Sequence, residues 1–193
     1  MRCEKEAKCL AALHGVAIRK GDTLNLKLDN GATKTFRNDR SDGESHSIQT
    51  LIGYMPPQHM FVLEVGAYEA IRYLVVSRQN GKSFELEAEP HLSPDGKRFV
   101  VVAVDEQNGW ERDVAIYSTA SFPPLLEWSY RTQKPDEYVT YSFVSWDGEG
   151  RIKLRASGVQ DKESETDVRR SSGVWKLRLS NGEFRTGVSS ARQ

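Results

Sequence analysis

The sequence predicts an all-β, antiparallel fold built from a degenerate repeat, with a short helix at the N-terminus. Three observations carry that expectation. Helical periodicity is nearly absent after residue 13, short β-branched and aromatic runs recur between Gly, Asn, Asp and Pro, and the Asn-Gly dipeptides at 30–31, 80–81 and 181–182 punctuate those runs. The expected layout is a helical leader over 1–13, one β domain over 14–187 and a disordered tail over 188–193.

Each Asn-Gly marks a hairpin, because the pair suits the positive-φ positions of a type I′ turn whose twist matches the flanking strands. Thr23–Leu28 and Thr33–Phe36 flank Asn30-Gly31. Ile71–Val76 and Lys82–Leu86 flank Asn80-Gly81, and Val174–Leu179 and Glu183–Arg185 flank Asn181-Gly182. A fourth hairpin with a longer connection joins Asp113–Tyr117 to Leu125–Trp128. A turn followed by a buried strand precedes the last three hairpins. It is sharpest in Ser93-Pro94-Asp95-Gly96-Lys97-Arg98-Phe99, recurs at Ser145-Trp146-Asp147-Gly148, and is looser at Met55-Pro56-Pro57. The repeat therefore runs turn, inner strand, loop, hairpin, with a spacing of about 38 to 52 residues that suits blade-like units.

The 93–99 segment resembles the blade motif of TolB-type and WD-type β-propellers, and the layout resembles small bacterial envelope proteins carrying a short cysteine-bearing leader and a few such blades. The resemblance covers about residues 50–186. It implies a propeller-like array of three to four blade units, a small or incomplete ring; a β-sandwich or plain meander is the alternative. Asp147-Gly148 departs from the motif by placing Trp146 where it has Pro, and Pro56-Pro57 lacks the Asp-Gly.

Composition bounds the function. The 193 residues are 38% hydrophobic and 28% charged, with 27 basic and 27 acidic side chains. That balance excludes a disordered or fibrous chain and argues against nucleic acid as partner, which calls for a basic surplus. Charge is nonetheless segregated. Residues 1–40 carry a net +4, 41–150 a net −9 and 151–193 a net +5. The longest apolar run, Phe99–Val104, is far short of a transmembrane segment. Leu10–Leu13 is too short for the core of a signal peptide.

Cys3 and Cys9 are the only cysteines. A continuous helix over 3–9 would separate them by about 9 Å, beyond disulfide reach, so a bond requires Cys3 to fold back before the helix starts. Two free thiols are the alternative. An isolated pair near a terminus leans towards an oxidising compartment, and the expected location is periplasmic or secreted, with the cytoplasm as alternative and any signal peptide lying outside this chain. Two thiolates without a histidine pair at ligand spacing do not make a metal site, so neither metal nor cofactor is expected.

Motifs for catalysis are missing: there is no nucleophile elbow, zincin motif or phosphate-binding glycine loop. His14, His46, His59 and His91 fall at turns or strand ends, where a structural role outweighs a catalytic one. Glu85, Glu87 and Glu89 would share one face of a continuous strand, a spacing compatible with acid–base work on glycosides but more commonly a solvated outer face. Gln160–Ser172 lacks apolar periodicity and reads as a mobile loop. Trp128, Trp146 and Trp175 read as core. Trp110 differs, standing in the polar loop 105–112 with Arg112, and Tyr68 occupies the matching loop one repeat earlier. Exposed Tyr, Trp and Arg anchor protein interfaces, so Tyr68, Trp110 and Arg112 are the expected binding residues. The expected function is a non-enzymatic protein-binding module of the cell envelope. A small hydrolase or glycan-acting enzyme, and a lectin-like carbohydrate-binding module, are the alternatives.

Overall fold

A computed structural model describes residues 2–103, 112–132, 139–158, 163–179 and 182–188. The chain divides into two compact units, Met1–Glu89 and Pro90–Gln193.

The first unit opens with helix α1 (Glu6–Ala12), whose Cys9 is fully buried. Strands β1 (Ala17–Lys20), β2 (Thr23–Lys27) and β3 (Thr33–Arg37) form a three-stranded antiparallel sheet in chain order. Strands β4 (Ser47–Met55), β5 (Met60–Ala67), β6 (Ala70–Ser77) and β7 (Ser83–Leu86) form a four-stranded one, again in chain order. Alternation turns Leu24 and Leu26 inward from β2, where they meet Cys9, Leu51, Tyr54, Phe61, Leu63 and Val76 in one apolar core. Helix and both sheets thus close over a shared interior.

The second unit repeats the meander. Strands β8 (His91–Leu92), β9 (Arg98–Val102), β10 (Val114–Ser118) and β11 (Leu125–Tyr130) pair in sequence order, and so do β12 (Thr140–Trp146), β13 (Arg151–Ser157), β14 (Glu163–Ser171), β15 (Val174–Arg178) and β16 (Phe184–Thr186). The core joins Val100, Val114, Ile116 and Trp128 from one sheet to Ile152, Leu154, Val168, Trp175 and Leu177 from the other. Trp128 and Trp175 are buried, as expected. Trp146 is half-buried and donates its indole N–H to the His91 carbonyl at 2.9 Å, while the His91 ring stacks on Phe143 at 3.9 Å.

Two expectations need correction. The Asn-Gly hairpins form, but not through type I′ turns at the first two. Gly31 and Gly81 take positive φ, 85° and 69°, while Asn30 and Asn80 do not. Each asparagine instead accepts a hydrogen bond from the backbone two residues on, Ala32 and Lys82. Gly31 N donates to Leu28 O and Leu28 N to Ala32 O, the pattern of a three-residue loop with its glycine in the left-handed region. The Asn side chain thus caps the loop without its own φ turning positive.

The stretch read as a mobile loop is largely strand. Glu163–Ser171 is β14, paired along its length with β13 and then with β15. Its inward residues Thr166 and Val168 are few, and its charges pair with arginines across the sheet. Apolar periodicity was therefore weak where cross-strand ion pairing was strong.

The Ser93–Phe99 turn forms as expected. Gly96 takes φ 70°, the Ser93 hydroxyl donates to Asp95 Oδ1 at 2.6 Å and accepts from Arg98 N at 3.0 Å, and Lys97 N donates to Asp95 Oδ1 at 3.0 Å. These bonds set β9 running inward.

Candidate recognition surface

In each of the two four-stranded sheets, the link between second and third strands is where the sequence placed its aromatic residues. Between β5 and β6 that link is Tyr68-Glu69. The strands pair up to Ala67 and Ala70, so two residues make the reversal, with Glu69 at φ 57°. A turn that tight leaves no room for Tyr68 to fold back over its own hairpin. Tyr68 is 53% exposed, with Ile71 56% exposed beside the tip. An aromatic and an aliphatic side chain are thus exposed together at a two-residue hairpin end.

In the second unit the corresponding link joins β9 to β10. Trp110 lies outside the described residues. Arg112 lies two residues before the start of β10 and is half-buried. Its neighbour Asp113 anchors the base of the loop. Asp113 Oδ2 accepts from the Thr132 hydroxyl at 2.7 Å, Ala103 N donates to Asp113 O at 3.0 Å, and Asp113 N donates to Tyr130 O at 2.9 Å. The edge-on pair Tyr130 and Tyr141 packs nearby, with ring centroids 6.2 Å apart. Burial, the neighbouring Tyr130 and the Asp113 charge push the Tyr141 phenol well above its ordinary range, so it stays protonated. Tyr68 and Arg112 belong to different units.

The glutamate constellation is broken up. β7 ends at Leu86, so Glu85, Glu87 and Glu89 do not share one strand face. Exposed Glu85 pairs with Arg72 at 3.1 Å. Glu89 turns into a cluster that sequence spacing does not reveal: Arg2 Nη2 donates to Glu89 Oε2 at 2.7 Å, and the Tyr73 hydroxyl donates to Glu64 Oε2 at 3.4 Å. Burial raises the Glu89 carboxyl, the Glu64 charge adds to it, and Arg2 pulls the other way. Burial and the same two carboxylates raise the Tyr73 phenol. Only the cross-strand register Glu64↔Tyr73 was in principle readable from sequence.

Cys3 and Cys9 form a disulfide with Cα atoms 5.5 Å apart. The expected fold-back is present: Cys3 lies before α1, Cys3 N donates to Ile52 O at 2.8 Å, and Arg2 bridges Gly53. The bond therefore clamps the N-terminal segment along the β4 edge. Glu6 completes the clamp, accepting from Leu51 N at 2.9 Å and pairing with Arg19 at 2.6 Å. Among the described residues, no group of three or more His, Cys, Asp or Glu is arranged to hold a metal. Nor is any helix among them long and apolar enough to cross a membrane.

No family model, curated protein or solved structure matches the chain.

Proposed function

We propose that the protein is a non-enzymatic module of the bacterial cell envelope that binds another protein through the loops joining second and third strands of its sheets. The observation that carries this reading is Tyr68, exposed with Ile71 at the end of a hairpin paired up to Ala67 and Ala70. Ordering such a tip on binding costs little conformational entropy, because the backbone is already paired and Tyr has two side-chain torsions. Four-stranded meanders in chain order support reading the sheets as blades of a small or incomplete propeller. The Cys3–Cys9 disulfide supports an oxidising, extracytoplasmic compartment.

The test is affinity capture with the full chain and with Tyr68→Ala, Trp110→Ala and Arg112→Ala variants. One discrete partner should be recovered by the wild type, recover the wild type in turn when itself used as bait, and be lost with the variants. Equal recovery by all of them sinks the surface.

The Glu89 carboxyl, raised by burial with the Glu64 charge adding to it, favours one other reading, a small hydrolase or glycan-acting enzyme with Glu89 as its acid. Hydrolysis of a glycan panel that disappears in Glu89→Gln would select it over the binding module. Retention on a glycan array without turnover would point to a lectin-like module.

A further inference from the structure

The outer face of the β12–β16 sheet gathers cations around one buried carboxylate. Inward residues Ile152, Leu154 and Val168 alternate with outward Arg151, Lys153, Asp167 and Arg169, and the register sets Lys153 opposite Asp167 and Arg151 opposite Arg169. Asp167 is only 2% exposed although it faces outward, because guanidinium groups cover it. Arg169 forks onto both its oxygens, Arg151 Nε lies 3.5 Å from Oδ2, and Arg178 Nη1 lies 4.0 Å from Oδ1. Asp147 pairs with Arg151 at 3.2 Å and with Lys153 at 3.7 Å. The network therefore holds Arg151, Lys153, Arg169 and Arg178 against Asp147 and Asp167, two positive charges in excess.

Those charges are not saturated with acceptors. Arg151 Nε, though within ion-pair distance of Asp167, makes no hydrogen bond, and 4.0 Å is too far for Arg178 to make one. Side-chain exposures of 37%, 42% and 48% for Arg151, Arg169 and Arg178 leave outward donors facing solvent. Arg169 is oriented from below by its two hydrogen bonds to Asp167 and by the Phe184 ring 5.8 Å from its guanidinium carbon, while Arg151 and Arg178 are drawn to the same carboxylate by charge alone. Guanidinium groups gathered over one carboxylate, in a network with a surplus of two charges, match a tetrahedral dianion, which accepts paired N–H groups on its oxygens.

We propose that Arg151, Arg169 and Arg178, gathered over Asp167, form a receptor for a dianionic oxyanion of the phosphate class. Asp167 is the positioning residue and the arginines are the contacts. Outward N–H groups reach the anion while inward ones stay on the carboxylate, so binding needs no rearrangement of the sheet. Lys153 adds charge at the rim.

The test is a titration of the ¹⁵N-labelled full chain with inorganic phosphate at constant ionic strength, reading the arginine Nε–H resonances. Parallel arms use a long-chain polyphosphate and chloride. Arg151, Arg169 and Arg178 should shift saturably with phosphate and not with chloride. Arg178→Gln should weaken binding about fivefold or more, one bidentate contact being lost. Arg155→Gln is the control, since Arg155 pairs with Glu163 at 3.5 Å on the same face outside the network. Lys153→Gln, removing an exposed rim charge, is the second variant if Arg178→Gln fails to fold. Saturation by polyphosphate alone, lost in Arg178→Gln, would show the same chemistry with the phosphate carried on a polymer. Linear shifts in every arm, or equal weakening by Arg155→Gln, would overturn the proposal.

Discussion

Gly187 lies so close to Ser129 that a β-carbon on it would stand 1.9 Å from the Ser129 carbonyl oxygen, and 2.7 Å from the Trp128 ring. The contact exists because the chain beyond β16 returns to β11, where Ser129 N donates to Val188 O at 3.0 Å and Val188 N donates to Ser129 O at 2.9 Å. The last strand of one sheet is thereby fastened to the edge strand of the other inside the second unit. Gly187→Ala must detach this segment. A loss of about 1–3 kcal/mol is expected for two backbone bonds and their cover. Urea unfolding measures it, and the Ser129 amide should lose its protection from hydrogen exchange.

The disulfide fastens the other end of the chain. Closing a loop with a sequence separation of 6 removes a modest amount of unfolded-chain entropy, so a Cys3→Ser/Cys9→Ser variant should lose about 2 kcal/mol. Denaturant midpoints of the wild type with and without a dithiol reductant should differ by a similar amount, and the variant should show no difference.

Asp95 makes the turn into β9 sensitive to acid. Burial acts to raise its carboxyl, but the Ser93 hydroxyl and the Lys97 N–H donating to it, with the charges of Lys97 and Arg98, carry it below its ordinary value. A carboxyl lowered on folding stabilises the protein above its unfolded-state value, and that stability disappears as pH falls through the native one. Asp95→Asn should therefore cost about 1 kcal/mol at neutral pH. Thermal melting should find the two proteins converging once Asp95 is protonated in both states.

Glu89 runs in the opposite sense. Burial lifts its carboxyl above the ordinary value despite Arg2, so the folded chain keeps this proton to higher pH than the unfolded chain does. Stability falls as pH rises from the unfolded value through the raised native one. Glu89→Gln lacks that slope. Its melting temperature relative to the wild type should be more favourable at about pH 7 than at about pH 4, and an unchanged difference would contradict the burial account.

These four sites differ in how far the sequence reveals them. The Ser93–Phe99 turn and the hairpin positions are legible because a few consecutive residues satisfy much of their own backbone. Turn type is less legible, since Asn30 can either take a positive φ or cap the loop with its side chain. Strand β14 hides because its charges are balanced across strands by Arg151, Arg155 and Arg178, which a scan for apolar alternation cannot see. The Arg2–Glu89 pair joins residues 87 apart, and Gly187 gives no local hint that Ser129 lies against it. Tyr68 is singled out in the sequence by its place in the loop that matches 105–112 one repeat earlier. What fixes its exposure, the pairing of Ala67 with Ala70, is a property of register.

Recognition through the hairpin end is tested most directly by replacing Tyr68 with a photo-crosslinking phenylalanine analogue in living cells, with the same analogue at exposed Lys27 as control. A single discrete adduct from position 68 that is absent from position 27, and that competes away with excess unlabelled wild-type protein, is the predicted result. Identical products from both positions, or none from position 68, would contradict the account.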